Sequence, residues 1–257
     1  MAPPFRDSQA VARGCVRNKP TGPVIPYARN VIAAWGHRVV KQARAAVTRE
    51  QILRGAAEVF DRYGYGTTTL SDVIAQAGVT KGALYFHFSS KEDLARAVIE
   101  QQHALSVRPG RQRLDQHAPG LESVIRLSQG LARQLMDDVI VRAGIRLTLE
   151  HGTFGASVSN PYRDWVAVTE QLLRRAIDEG DLRDSVKPAA LARFVVSAFT
   201  GVQLLSEVLS ARQDLHQRVE EMWDILLSSL VSARKLPYFR SVAATGSAKQ
   251  NDEFGSR

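Results

Sequence analysis

Two short helices joined by a glycine, all within about twenty residues, confine one part of this chain to a sharp corner. Leu70 to Ala77 carries Val73, Ile74 and Ala77 at helical spacing. Thr69 stands ahead of it as a cap, and Gly78 ends it in the left-handed conformation that glycine adopts freely. A second helix runs from Thr80 to about His87, with Val79 filling the angle between the two. A preceding helix starts at Thr48, where Gln51 completes a capping box. It sets Ile52, Ala56, Val59, Phe60 and Tyr63 on one face before Gly64 stops it. Leu53, Ala57 and Phe60 are expected to receive the apolar face of 70–77, with Ala75 small enough for a close crossing. Phe86 and Phe88 are expected in the core. The three helices make a helix-turn-helix unit, and Ser90 with Asp93 opens a fourth helix that carries Leu94, Val98 and Leu105 toward a break at Pro109-Gly110.

Helical periodicity continues through the second half, over 120–136, 139–149, 161–179, 188–210 and 214–232, and no alternating run predicts a strand. Asn160-Pro161 reads as a cap followed by proline at the first helical position. The fold class is therefore all-α: a three-helix helix-turn-helix domain over 45–92 and a larger helical domain over 93–238. Residues 1–44, with five of the ten prolines, are expected to form a basic leader without fixed structure, and 239–257 a flexible tail. The stripes at 188–210 and 214–232 are wider than one buried face needs, which predicts a four-helix bundle shared by two copies of the chain.

Charge and composition narrow the function. The net charge is +8, and residues 1–91 hold all of that excess, with 13 Lys/Arg against 5 Asp/Glu. This asymmetry points to a polyanionic partner for the N-terminal part. A single cysteine excludes an internal disulfide and a multi-cysteine zinc site, and the six scattered histidines give no metal motif. No stretch is apolar over the roughly 20 residues that a membrane span needs. Neither a nucleophile elbow nor a phosphate-binding glycine loop is present, and the pairs Asp137-Asp138 and Glu220-Glu221 diverge on a helix. A cytoplasmic, non-enzymatic protein without cofactor or metal is expected.

The second helix of such a corner enters the DNA major groove by its N-terminal end. Lys81 is placed to donate to guanine O6 and N7, and Thr80 to touch a phosphate or a thymine methyl. Gly82 allows close backbone approach, while Tyr85 and His87 suit phosphates. Thr69 and Lys91 stand at helix starts where they would clamp the sugar-phosphate chain, unless Thr69 only caps and Lys91 is only solvated.

The string VTKGALYFHF at 79–88, with KEDL at 91–94, resembles the DNA-binding domain of TetR-family regulators. It is most similar to the γ-butyrolactone (autoregulator) receptor branch. The likeness continues more loosely through 141–147, 160–165 and 199–203, covers about 44–235, and leaves the leader out. It implies a homodimeric repressor released from a pseudo-palindromic double-stranded operator by a small autoregulator ligand, controlling antibiotic or other secondary metabolism. The alternatives are a regulator of the same fold sensing an antibiotic or other hydrophobic compound, and a constitutive nucleic-acid-binding protein. By the same resemblance 93–238 is the effector-binding and dimerisation domain, with Gln102 (or its neighbour Gln101), Trp165 and Thr200 lining the pocket. The bland readings stay open: Trp165 as core and Thr200 beside Gly201 as a helix-packing site. Gln129 is a further possible lining residue, Arg142 and Arg146 could bind a carboxylate but better suit a solvated or domain-interface face, Trp223 suits a dimer core, and His103, His151 and His216 have no recognisable partner.

Overall fold

The computed structural model describes residues 26–150 and 161–244, with side chains from Gln42 onward. The expectations for 1–25, His151, Asn160 and 245–257 lie outside the described residues. The chain divides into two units, Met1–Ala45 and Ala46–Arg257. Nine helices are described: α1 (Pro26–Thr67), α2 (Leu70–Ala77), α3 (Lys81–His87), α4 (Lys91–Asp115), α5 (Gly120–Asp137), α6 (Val139–Leu149), α7 (Pro161–Asp178), α8 (Pro188–Ser210) and α9 (Leu215–Leu230). A further helical stretch covers 236–244, and no strand occurs among the described residues.

Helix α1 begins well before Thr48, so 26–44 is helical rather than without structure. Pro26 has the fixed φ of a first helical turn, and the alanine-rich run behind it contains no further proline. At the other end Gly64 breaks the helical path with φ 76 and ψ 174. Around the corner, sequence and structure agree closely. Thr69 caps α2 by accepting from the Asp72 N–H, while Asp72 accepts from the Thr69 N–H at 2.9 Å. Gly78 adopts φ 63 and ψ 32. The close crossing of α1 and α2 lies at Gly55 and Ala77, not at the exposed Ala75: a Cβ on Gly55 would stand 2.7 Å from the Ala77 Cβ.

Helix α4 runs straight through Pro109 to Asp115 instead of stopping there. A proline frees the carbonyl four residues earlier, and Gln134 Nε2 donates to that Leu105 oxygen at 3.4 Å. Two apolar clusters form. The first joins Ile52, Leu53, Phe60, Val73, Leu84 and Phe88 to Leu94, Val98 and Ile99 of α4 and to Val139, Ile140, Ala143 and Leu147 of α6. The helix-turn-helix core therefore does not stop at residue 92. The second gathers α5, α7, α8 and α9.

Trp223 is wholly buried within this second cluster of one protomer, where its Nε1 donates to Ser128 Oγ at 2.7 Å, so it is not a dimer-core residue. The tail also begins later than expected. Phe239, Val242 and Ala243 are buried, and Gln129 Nε2 donates to the Val242 and Ala243 carbonyls at 2.9 and 2.6 Å. That occupies the Gln129 amide away from any ligand. Helix α8 is long and apolar enough to cross a membrane by length and composition, with a mean hydropathy of 1.5. Its Ala192, Val195, Phe199, Gln203 and Ser206 are instead buried in the protomer.

The α8–α9 turn is held by Asp214, which accepts from Ser206 and Ser210 at 2.6 Å each and pairs with Arg218 at 2.7 Å. These hydroxyl hydrogen bonds, aided by Arg218, hold its pKa down at about 2. A depressed carboxylate stabilises the fold above its ordinary pKa, and that contribution disappears as pH falls through the folded value. Melting curves of wild type and Asp214→Asn should therefore differ at pH 5 and converge between about pH 4 and pH 2. A gap independent of pH would contradict the assignment.

Candidate functional site

Helix α3 is seven residues long and buries only Leu84, with Phe88 sealing its end. Thr80 caps it by accepting from the Ala83 N–H at 3.2 Å. Lys81, Gly82 and Tyr85 are exposed, His87 is half-buried, and the Lys81 ammonium lies 5.9 Å from the Tyr85 ring centre. Phe86 is not in the core: it is 77% exposed, touching the His87 ring edge at 5.0 Å between centroids. On so short a helix the buried stripe is one residue wide at each turn, and Leu84 and Phe88 occupy it.

The two clamp candidates differ. Thr69 is exposed, with its hydroxyl engaged by Asp72 at 2.7 Å. Lys91 turns inward: Nζ donates to the Tyr65 and Thr68 carbonyls at 2.9 and 2.8 Å and sits 4.2 Å from the centre of the Tyr65 ring. It staples the end of α1 to the start of α4.

The second candidate region is a partly open cavity among α4, α5, α7 and α8. Trp165 and Thr200 both line it. Ser106, Val107 and Gly110 of α4 form one wall, and none of the described lining side chains is charged. Gln102 does not line it. It is fully buried behind Ser106, to which its Nε2 donates at 2.8 Å. Trp165 Nε1 is buried with no hydrogen-bond partner among the described residues, so it is a donor ready for an acceptor. The Thr200 hydroxyl donates to Val196 O at 2.8 Å. Burial pushes the Tyr162 pKa up, and its hydroxyl is hydrogen-bonded with Thr200. Its ring packs edge-on against Trp165 at 5.0 Å. Sequence reasoning missed Ser106, Thr169 and Tyr162. Helical spacing held the signal: Ser106 lies one turn beyond Gln102, and Tyr162 and Thr169 flank Trp165 on its own face.

Contacts tie the end of α1 to α6. Arg142 Nε pairs with Asp61 at 2.8 Å, Arg146 donates to Asp61 O at 2.5 Å, and Tyr65 N donates to Glu150 at 2.9 Å. Arg142 and Arg146 thus serve the junction between the two clusters rather than a ligand. His103, expected without a partner, meets Asp164 at 2.9 Å across α4 and α7. His216 is half-buried, and burial lowers its pKa. No group of side chains suited to a metal occurs among the described residues.

A family model described as bacterial regulatory proteins, tetR family, matches residues 52–98. A tetracyclin repressor-like C-terminal domain matches 118–232. The A-factor receptor protein of Streptomyces griseus is 35% identical over 219 residues, spanning 85% of this chain and 76% of that protein. The chain belongs to the TetR family. Its similarity within the family runs to the γ-butyrolactone receptor-like branch. A solved gamma-butyrolactone receptor (ArpA-like protein) matches with a TM-score of 0.72 and 33% identity over 80% of this chain and 99% of that one. CprB, a TetR family protein from Streptomyces coelicolor solved with its biological operator sequence, gives 0.67 and 34% over 79% and 97%. As a TetR-family member the protein is a DNA-binding transcriptional regulator, and not an enzyme.

The inward Lys91 yields a test that separates two roles. Lys91→Met should lower stability by about 1–3 kcal/mol, the cost of hydrogen bonds made by a charged group. It should leave the salt dependence of DNA binding unchanged. A salt slope reduced by about 1 with stability intact would return Lys91 to a phosphate.

Proposed function

We propose that the protein is a homodimeric repressor that sits on a pseudo-palindromic operator in the cytoplasm. A small signalling molecule of γ-butyrolactone, butenolide or furan type releases it, with antibiotic or other secondary-metabolite genes as its targets. The observation that carries this reading is the position of α4. Its first turns belong to the DNA-reading core through Leu94, Val98 and Ile99, and its later turns wall the cavity through Ser106, Val107 and Gly110. One helix therefore feels both the ligand and the DNA-reading unit.

The cavity suits an apolar molecule with an acceptor oxygen. Val107, Val124, Leu127, Leu131, Val168 and Phe199 offer a tail its surface, and Trp165 Nε1 offers the oxygen a donor. Lys81, Thr80, Gly82, Tyr85 and His87 keep the DNA-contact roles that their place on α3 supports, and Thr200 keeps the pocket role that the family resemblance implies. For Gln102 the proposed role is indirect, through Ser106. Dimerisation is supported by the apolar side chains left exposed on the protomer: Phe194, Leu205, Val208 and Leu209 of α8 and Ile225 of α9. Two α3 helices brought together in this way enter successive major grooves roughly 34 Å apart. For the ligand to move the population from bound to released, its preference for the released arrangement must approach about 5 kcal/mol.

Two variants divide the functions. Trp165→Ala should bind operator normally in a gel shift yet resist release by a lactone. Lys81→Ala should lose operator affinity by about 1–3 kcal/mol, while binding lactone as wild type does in calorimetry. Normal release of Trp165→Ala would remove the cavity as the signal site.

A further inference from the structure

The exposed face of α3 carries a residue whose placement the packing among the described residues does not require. Phe86 is 77% exposed, although Leu84 and Phe88 on either side of it are buried at 0% and 2%. One turn earlier on the same face stands Gly82, where a Cβ would meet nothing within 4 Å. So the fold requires neither the missing side chain at 82 nor the apolar one at 86. The composition of this face answers to something outside the chain.

We propose that Phe86 is a specificity-determining residue that reads the 5-methyl group of one thymine in each operator half-site. The inference rests on the reading of α3 as the helix that enters DNA. A phenyl ring has no donor or acceptor, so it cannot hold a phosphate oxygen or pair with the polar edge of a base. The one apolar group on the floor of the major groove is the thymine methyl. Gly82 lets the α3 backbone approach the groove closely, which brings the ring one turn further on within reach of a base edge. Lys81 and Tyr85 occupy the adjacent stripe, so polar and apolar readout lie side by side on the exposed surface of one short helix. Contact with DNA also removes from water a large aromatic surface that the free protomer leaves there.

Uracil tests this directly, because replacing thymine by uracil deletes the methyl group and nothing else. Wild-type protein first selects a preferred duplex from a random pool. Each thymine of the half-site is then exchanged for uracil, symmetrically in both halves. At one position uracil should weaken wild-type binding about fourfold per half-site, the worth of one buried methyl group. Phe86→Ala should bind the thymine and uracil duplexes alike at that position, and Phe86→Leu should retain part of the difference. Wild-type affinity that ignores every uracil, a selected half-site without thymine, or methyl dependence that survives in Phe86→Ala would each overturn the proposal. A wild-type protein that selects no duplex at all would overturn the DNA-reading role of α3, and this inference with it.

Discussion

Helix α4 crosses α6 at a point where Gly144 faces Gln102, and a Cβ on Gly144 would overlap the Gln102 side chain. The crossing draws the two helices together with no room to spare, and both of them have obligations at each end. Helix α6 gives Val139, Ile140, Ala143 and Leu147 to the DNA-reading core, and Val141 and Ile145 to the second core. Helix α4 gives its first turns to the former and lines the cavity with its later ones. A close-packed interior transmits displacement instead of absorbing it. A ligand that shifts α4 by a fraction of a turn must therefore move its partners in the DNA-reading unit.

Electrostatic contacts reinforce this coupling. Asp61, near the end of α1, receives Arg142 on its carboxylate and Arg146 on its carbonyl, while Glu150 takes the Tyr65 N–H and the Arg146 guanidinium. These groups are part-buried, so the pairs are screened less than surface ion pairs and tie the α1 end to α6. On the opposite side Lys91 holds the same chain segment from α4. The corner between Tyr63 and Thr69 is thus gripped by both α4 and α6.

The parts of this molecule that obey local rules were legible in the sequence. Thr69 with Asp72, Gly78, Thr80, and Ser90 with Asp93 each act within four residues, and they mark the corner that the structure contains. What failed to show depends on distant partners. Pro109 does not break α4, and Gln134, on another helix, donates to the carbonyl that proline releases. Lys91 turns inward because folding brings the Tyr65 and Thr68 carbonyls to it, and His103 finds Asp164 only across two helices. Phe86 and Phe88 are indistinguishable by composition, and a seven-residue helix is too short for periodicity to orient them. Trp165 and Thr200 came from family resemblance. Their common cavity rests on α7 and α8 packing side by side, which no local pattern encodes.

The central claim is that filling the cavity separates the two DNA-reading helices of the dimer through α4. Spin labels on an exposed α2 position, Ser71→Cys with Cys15 replaced by serine, measure that separation by pulsed electron resonance. Operator-bound dimer should give one narrow distance, and a saturating 2-alkyl-γ-butyrolactone should displace the distribution while the DNA dissociates. An unchanged distance in dimer that has bound the lactone and released its operator would contradict the account.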